Sequence, residues 1–359
     1  MMGPIAQGMK AQAARMVRGM GRFRNAGRAG GVVLIYHRIG RPLADPWNIS
    51  VSPQNFADHM EILRRYAVPR TFGDFAGRLN SGVCEPSIVV TFDDGYADNL
   101  QALPILEAHD VPATIFIASD AVGNPPAFWW DLLTRIFLET PSLPQELLLE
   151  AGGKPIRYDL GAAATYGPAD LSRSALWRAD LAPPADKRHM VYLDVWQKLV
   201  GLEPDEIRRA ADSLRTWAGL SDAGSDCDAR PVTQAELLRL ADSPLVEIGG
   251  HTRTHADLAR LSPEQAAGEI GGGRQDLMEM TGRDVRSFAY PYGRFGPRTI
   301  ADIRDSGYDW AGCSRHGFAT PQHDPYALPR VHATDLSADR FEAMLAGFLR
   351  PLRGRAASA

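Results

Sequence analysis

Cysteine is scarce in this chain: Cys84, Cys227 and Cys313 are odd in number, far apart and without the close spacing of thiolate metal sites. That scarcity excludes a disulfide-held scaffold and predicts reduced thiols. Long apolar runs are missing as well, so no segment has the roughly 20 residues that a membrane-spanning helix requires. A cationic surplus is absent, the formal net charge being -4, which argues against nucleic acid as the main partner. The first thirty residues lack both the unbroken apolar core and the small-residue cleavage site of a secretory signal. They carry Lys10, Arg15, Arg18, Arg22, Arg24 and Arg28 with no acid, and segment 1–30 reads as a flexible basic start. The alternative is a weak peripheral contact with anionic lipid. These absences predict a cytoplasmic protein, at most peripheral to the inner membrane face.

What is present is an ordinary globular composition, 45% hydrophobic and 23% charged over 359 residues, enough to bury a large core. The most informative residues are Thr91-Phe92-Asp93-Asp94-Gly95 and, far downstream, His251-Thr-Arg-Thr-His255. The run Ser87-Ile-Val-Val-Thr-Phe92 is apolar and β-branched, the pattern of a buried strand, and it delivers two adjacent carboxylates at its end. Buried acids are costly unless a cation or hydrogen-bond donors compensate them. Leu245-Val-Glu-Ile-Gly249 reads as a second buried strand, ending just before His251. Two imidazoles and one carboxylate supply three metal ligands, with one acid to spare, and point to a metal-dependent hydrolase. Strand alternation predicts that the neighbouring acids point apart, one to a metal and one to a substrate.

From residue 32 the chain alternates strands and helices. Val32–Ile35 is followed by Ser52-Pro53, a helix start whose Phe56, Met60 and Leu63 share a face. Leu100, Leu103 and Leu106 mark a helix before the strand Ala113–Ile117. Ser262-Pro-Glu-Gln265 is a capping box opening a helix that Gly282 can end. Further elements are the strand Phe288–Tyr290, a helix near Thr299–Arg304 and the strand Tyr308–Cys313. The pattern is that of an α/β protein built as a (β/α) barrel.

Taken with Pro291-Tyr-Gly293, the Asp-Asp and His-x-x-x-His motifs resemble the polysaccharide deacetylases, the NodB-homology or carbohydrate esterase 4 family. The resemblance covers roughly residues 30–124 and 232–340. It implies a distorted (β/α)7-type barrel in 31–124 and 232–345. It also implies that Asp93 is the catalytic base, that Asp94, His251 and His255 hold the metal, and that the Tyr292 backbone N–H binds the oxyanion. His332, in Leu328-Pro-Arg330-Val-His332, is the candidate acid where the family has Leu-x-His; His316 and His323 compete for that role. The family's Asp-Trp motif has a loose echo in Asp309-Trp310. Arg286 is the candidate for orienting the catalytic Asp, and Arg286, Arg330 and His37 are candidates for substrate binding. Zinc is the expected ion, and cobalt, nickel or manganese also suits such a site.

Between Ile117 and Pro231 this pattern vanishes, and 125–231 reads as an inserted α+β subdomain. Leu147–Glu150 and Ile156–Leu160 around Gly152-Gly153 predict a hairpin. Val195 and Leu199, then Ile207, Leu214 and Trp217, have helical spacing. Trp129 and Trp130, expected near the barrel mouth, are either core or a stacking platform for sugar. Residues 346–359 read as a tail.

The function expected is N-deacetylation of an acetylated amino sugar in a glycan, or in a lipid-linked or soluble glycan precursor. The rivals are an amidase acting on a non-sugar C–N bond and a non-catalytic glycan-binding relative of the deacetylases.

Overall fold

The computed structural model describes residues 29–83, 85–123, 128–221 and 229–350. Most of the basic N-terminal segment, Cys84, Cys227 and the end of the C-terminal tail lie outside them. The described chain divides into two compact units, one comprising Pro42–Asn48 with Pro125–Arg230, the other the remainder.

The larger unit is built on a parallel sheet. Its strands run in the order Leu328–Pro329, Trp310–Cys313, Ser287–Ala289, Val246–Gly250, Ala113–Ile117, Ser87–Phe92, Gly31–Tyr36 and Val331–His332, with Val68–Arg70 also pairing with Ser87–Phe92. The two ends of that order are consecutive in sequence, separated only by Arg330. Leu328 and Pro329 pair with Gly312 and Cys313, whereas Val331 and His332 pair with Leu34 and Ile35. One short segment therefore serves both edges, and the sheet forms a nearly closed barrel. Every residue of Gly31–Tyr36, Ser87–Phe92 and Ala113–Ile117 is buried, as expected of parallel strands covered on both faces. Each large aliphatic side chain so buried contributes roughly 1.5–3 kcal/mol.

The helix Pro53–Tyr66 starts at Ser52, whose side chain accepts from Asn55 N–H, and it buries Phe56, Met60 and Leu63 on one face. Asn99–His109 buries Leu103 and Leu106. Ser262 and Gln265 form the expected capping box, and Gly282 ends the helical stretch at φ 66°. The stretch is not one α-helix, however. Pro263–Ala267 passes through a π-helical turn, Gly268–Gly272, before Gly273–Thr281. Three glycines in that turn are poor helix formers and make the wider winding inexpensive.

The smaller unit contains the antiparallel hairpin Glu146–Ala151 with Lys154–Asp159. Gly152 and Gly153 both have positive φ, 61° and 68°, the geometry a two-residue hairpin turn demands. Helices Pro168–Ala175, Lys187–Leu199 and Pro204–Trp217 accompany it. Arg188, fully buried, donates to the carbonyls of Thr140, Ala163 and Ala164 and lies over the Tyr166 ring. Trp130 is buried and stacks on Phe128 at 4.7 Å; Trp129 packs on Trp196 at 6.0 Å, and Trp47 on Trp196 at 4.8 Å. Trp130 thus belongs to an aromatic core within this unit, and the half-buried Trp129 packs at its edge.

Candidate metal centre

Parallel strands put all their carboxyl ends on one side, and the chemically loaded residues follow those ends. Asp93 comes directly after Ser87–Phe92, its N–H donating to Tyr36 O at 2.9 Å. His251 follows Val246–Gly250, its N–H donating to Ile117 O at 3.0 Å. Tyr292 lies just beyond Ser287–Ala289.

Asp94, His251 and His255 converge, with ligand atoms all within 4.8 Å of one another. The Nε2 atoms of both histidines lie 3.3 Å from Asp94 Oδ1. His251 Nδ1 is 2.8 Å from Ala289 O, so it carries the proton there and leaves the Nε2 lone pair facing Asp94. All three side chains are buried. One carboxylate oxygen and two imidazole nitrogens aimed at one point fit a divalent cation such as zinc.

The spacing of the two histidines is not that of one helix face. Residues 251–258 form an irregular loop, and left-handed backbone turns it. Of the six non-glycine residues with positive φ among the described residues, two are in this loop, Thr252 at 64° and His255 at 59°, and two more are elsewhere in the site, Asp94 at 76° and Tyr292 at 56°. Each costs about 1 kcal/mol, so the surroundings must impose them. Helix-borne acids hold this loop. Glu269, in the π turn, accepts from the N–H groups of Arg253 and Thr254 at 3.0 and 2.9 Å and from Thr254 Oγ1 at 2.8 Å. Asp276 accepts from Arg253 Nε and Ser119 Oγ, both at 2.8 Å.

The left-handed turn at Asp94, rather than strand alternation, separates the two acids. Asp94 faces the histidines, whereas Asp93 is gripped by Arg330, with Nη1 to Oδ1 at 2.8 Å and Nη2 to Oδ2 at 2.9 Å. Arg330 Nη1 also reaches Thr91 Oγ1 at 3.2 Å, and Nε reaches Cys313 O at 3.4 Å. Gly312 makes room for the guanidinium arm, since a Cβ there would stand 2.9 Å from Arg330 Cδ.

Charge follows this geometry. Burial pushes the Asp93 carboxyl up, but Arg330, with His251 and His37, outweighs it and holds the group below the usual carboxylate range. Burial acts likewise on Asp94, and the two histidines hold it well below that range. His251 is opposed by burial but raised by the two aspartates, whereas burial wins at His255 and lowers it.

His332 is half-buried on its edge strand, its ring parallel to that of His37 with centroids 6.1 Å apart. Burial, with His37 and Arg330, pushes its pKa down to about 3. The His37 carbonyl is held by Asn99 Nδ2 at 2.7 Å. His316 is exposed beside Phe348, adding slightly to the depression at His332, and His323 is engaged by Thr320 in an exposed loop.

Three sequence expectations require correction. Arg286 does not orient Asp93: it precedes Ser287–Ala289, at the opposite strand ends from the site, and pairs with Asp309 and Asp284. It is also displaced from any substrate at the carboxyl ends. Trp310 opens its strand at that same remote end and packs against a core of Val33, Phe72 and Phe75, so Asp309-Trp310 does not line a groove here. Arg330, offered as a substrate contact, is fully buried behind Asp93. The sequence signal for its real partner was a cation inside the apolar run Leu328-Pro-Arg-Val331, which must find an acid or a set of acceptors if it is buried.

Comparison with known proteins bears on the family and the fold. The family described as polysaccharide deacetylase matches residues 80–140 and 215–311. YxkH of Bacillus subtilis, which bears a polysaccharide deacetylase name, is 27% identical over 115 residues, 32% of this chain and 41% of that protein. The chain thus matches less than half the length of this relative. Solved structures titled as polysaccharide deacetylases from Bacillus anthracis and Bacillus cereus each superpose with a TM-score of 0.52. They are 17% and 18% identical, and in both cases 88% of this chain and 68% of the other is covered. At such identity the likeness establishes the barrel fold.

Proposed function

We propose, on the premise that this chain belongs to the polysaccharide deacetylase family, that it is a metal-dependent N-deacetylase. It releases acetate from an N-acetylated amino sugar in a glycan, or in a lipid-linked or soluble glycan precursor. The observation that carries this reading is the division of labour between adjacent acids: Asp94 joins two histidines while Asp93 is held apart by Arg330.

A divalent cation bound by Asp94, His251 and His255 would polarise an amide carbonyl and acidify water, with zinc the first candidate and cobalt, nickel or manganese also suited. Asp93 stays ionised because Arg330 compensates its burial, so it can accept a proton from the attacking water. Arg330 fixes the direction of that carboxylate. The Tyr292 N–H serves as a donor to the oxyanion, presented by a left-handed backbone that a non-glycine residue rarely adopts.

The departing amine needs a proton, and His332 is the assigned donor. Its depressed pKa makes the resting imidazole neutral at pH 7, so it must take a proton from solvent before it can pass one to the amine. The same property favours a second reading, a glycan-binding relative with an ineffective acid.

Acetate assays on free, nucleotide-linked and lipid-linked N-acetylated sugars, with bound metal quantified, decide between them. Metal-dependent acetate release that Asp93→Asn abolishes is the expected result. Glycan binding without turnover, unaltered by that change, would replace this reading with the binding one, and hydrolysis of small cyclic amides without acetate would indicate an amidase.

A further inference from the structure

We infer that Asp257 and Arg294 are positioning residues that lock the Tyr292 turn to the His255 loop, setting the distance between the oxyanion donor and the metal. The inference rests on the deacetylase reading for the role of the Tyr292 N–H, while the contacts belong to the structure itself.

Asp257 stands two residues after His255 and is buried, with a relative exposure of 7%. Its carboxylate forms a close ion pair with Arg294 Nη1 and accepts from Arg260 Nε at 3.2 Å. Oδ1 also accepts from Ala259 N–H at 3.3 Å. The Arg294 guanidinium lies over the Tyr292 ring, 5.7 Å from its centroid. The same ring also meets the metal loop, touching the His255 ring edge-on at 4.6 Å. A circuit results: His255 to Asp257 along the chain, Asp257 to Arg294 by charge, Arg294 to Tyr292 by cation–π attraction, and Tyr292 back to His255 by ring contact.

The circuit encloses strained backbone. His255, Tyr292 and Gly293 are all left-handed, with φ of 59°, 56° and 64°. At Gly293 a Cβ would lie 2.7 Å from Ser314 Cβ, so the turn cannot relax by adopting an ordinary residue there. A non-glycine residue at Tyr292 remains left-handed only if its neighbours over-determine it. Arg294 is the next residue but one, and its guanidinium lies over the ring. Arg260, which shares the Asp257 carboxylate, is half-exposed and makes no part of the circuit. Without the Asp257–Arg294 pair the turn is free to shift relative to the ligand loop, and a shift of about 1 Å at such a donor can cost up to a hundredfold in rate.

The test uses the full chain loaded with cobalt, whose visible spectrum reports on the metal and on acetate bound beside it. Asp257→Asn, Arg294→Met and Arg294→Lys are compared with the unaltered protein for cobalt affinity, acetate affinity, unfolding temperature and turnover. Asp257→Asn and Arg294→Met are expected to weaken acetate binding and lower kcat by about tenfold or more, with KM and cobalt affinity within about threefold. Arg294→Lys keeps the charge and should recover much of the loss. Unchanged acetate affinity and kcat overturn the inference, as does a loss that merely tracks cobalt affinity or unfolding temperature. Should the unaltered protein bind cobalt and acetate yet release no acetate from sugars, the deacetylase reading fails, and the acetate affinities of the variants still decide the positioning role.

Discussion

Arg330 holds Asp93 in a two-point grip across 237 positions of sequence, with N–O distances of 2.8 and 2.9 Å. The same residue is the single link between the two strands that close the barrel. Closure of the sheet and orientation of the proposed base are therefore one structural event. A guanidinium is suited to this because its planar fork meets both carboxylate oxygens, which the ammonium of Lys cannot do.

Removal of the grip should be costly. Arg330→Met leaves the Asp93 carboxylate buried without its main partner, and we expect a loss of about 3–5 kcal/mol in denaturant unfolding. With Arg330 gone, only His251 and His37 oppose burial and the Asp93 pKa rises. Asp93→Asn combined with Arg330→Met should be less destabilised than Arg330→Met alone; additive losses would show that the charge pair is not the cause.

The adjacent acids should separate cleanly in metal assays. Asp93→Asn is expected to lose at least a thousandfold in turnover with metal content near that of the unaltered protein. His251→Ala should lose the metal itself. Equal metal loss in both variants would show that the roles were wrongly divided.

Acid should release the metal. In the metal-free fold His251 has a pKa above its ordinary value near 6.5, because the aspartates favour its protonated form. Below that raised pKa a proton competes for Nε2, and above it the nitrogen is open. Apparent affinity should be flat at higher pH and fall about tenfold per unit as pH drops through the His251 pKa. The acid limb of activity should follow this loss, since Asp93 remains ionised well below it. Metal titrations across pH that show no dependence in this direction would contradict the ligand assignment.

A methyl group at residue 312 should act at a distance. Gly312→Ala would place a Cβ 2.9 Å from Arg330 Cδ and 3.2 Å from the Phe72 ring, neither of which has room to retreat. We expect kcat to fall at least tenfold with metal binding retained, as Arg330 is pushed off Asp93. An unaltered kcat would mean that the grip tolerates displacement.

His332→Ala should slow amide cleavage more than cleavage of an activated ester, because a good leaving group needs less protonation. Identical losses on the two substrates would remove His332 from the acid role and leave Asp93 to serve in both directions.

The parts readable from sequence are those encoded by short-range pattern. Continuous β-branched runs announced the buried strands, Ser52-Pro53 and Ser262–Gln265 the helix starts, and Gly152-Gly153 the hairpin turn, because each depends on neighbours within a few positions. The meeting of Asp94, His251 and His255 was also legible, since Asp94 and His251 follow strand ends, His255 is close by in the same loop, and parallel strands end together.

Other features were decided only by tertiary structure. Which arginine meets Asp93 depends on where the strand ends fall, and that placed Arg330 at the acid and Arg286 at the far end of the barrel. The left-handed turns at Asp94, Thr252, His255 and Tyr292 run against local preference and exist because distant groups, such as Glu269 on its π turn, hold the loops. Local sequence determined the elements and their chemistry because propensity and burial act residue by residue. The pairing of charges and the strain at the site arose from contacts across the closed sheet, where energy is shared among residues far apart in the chain.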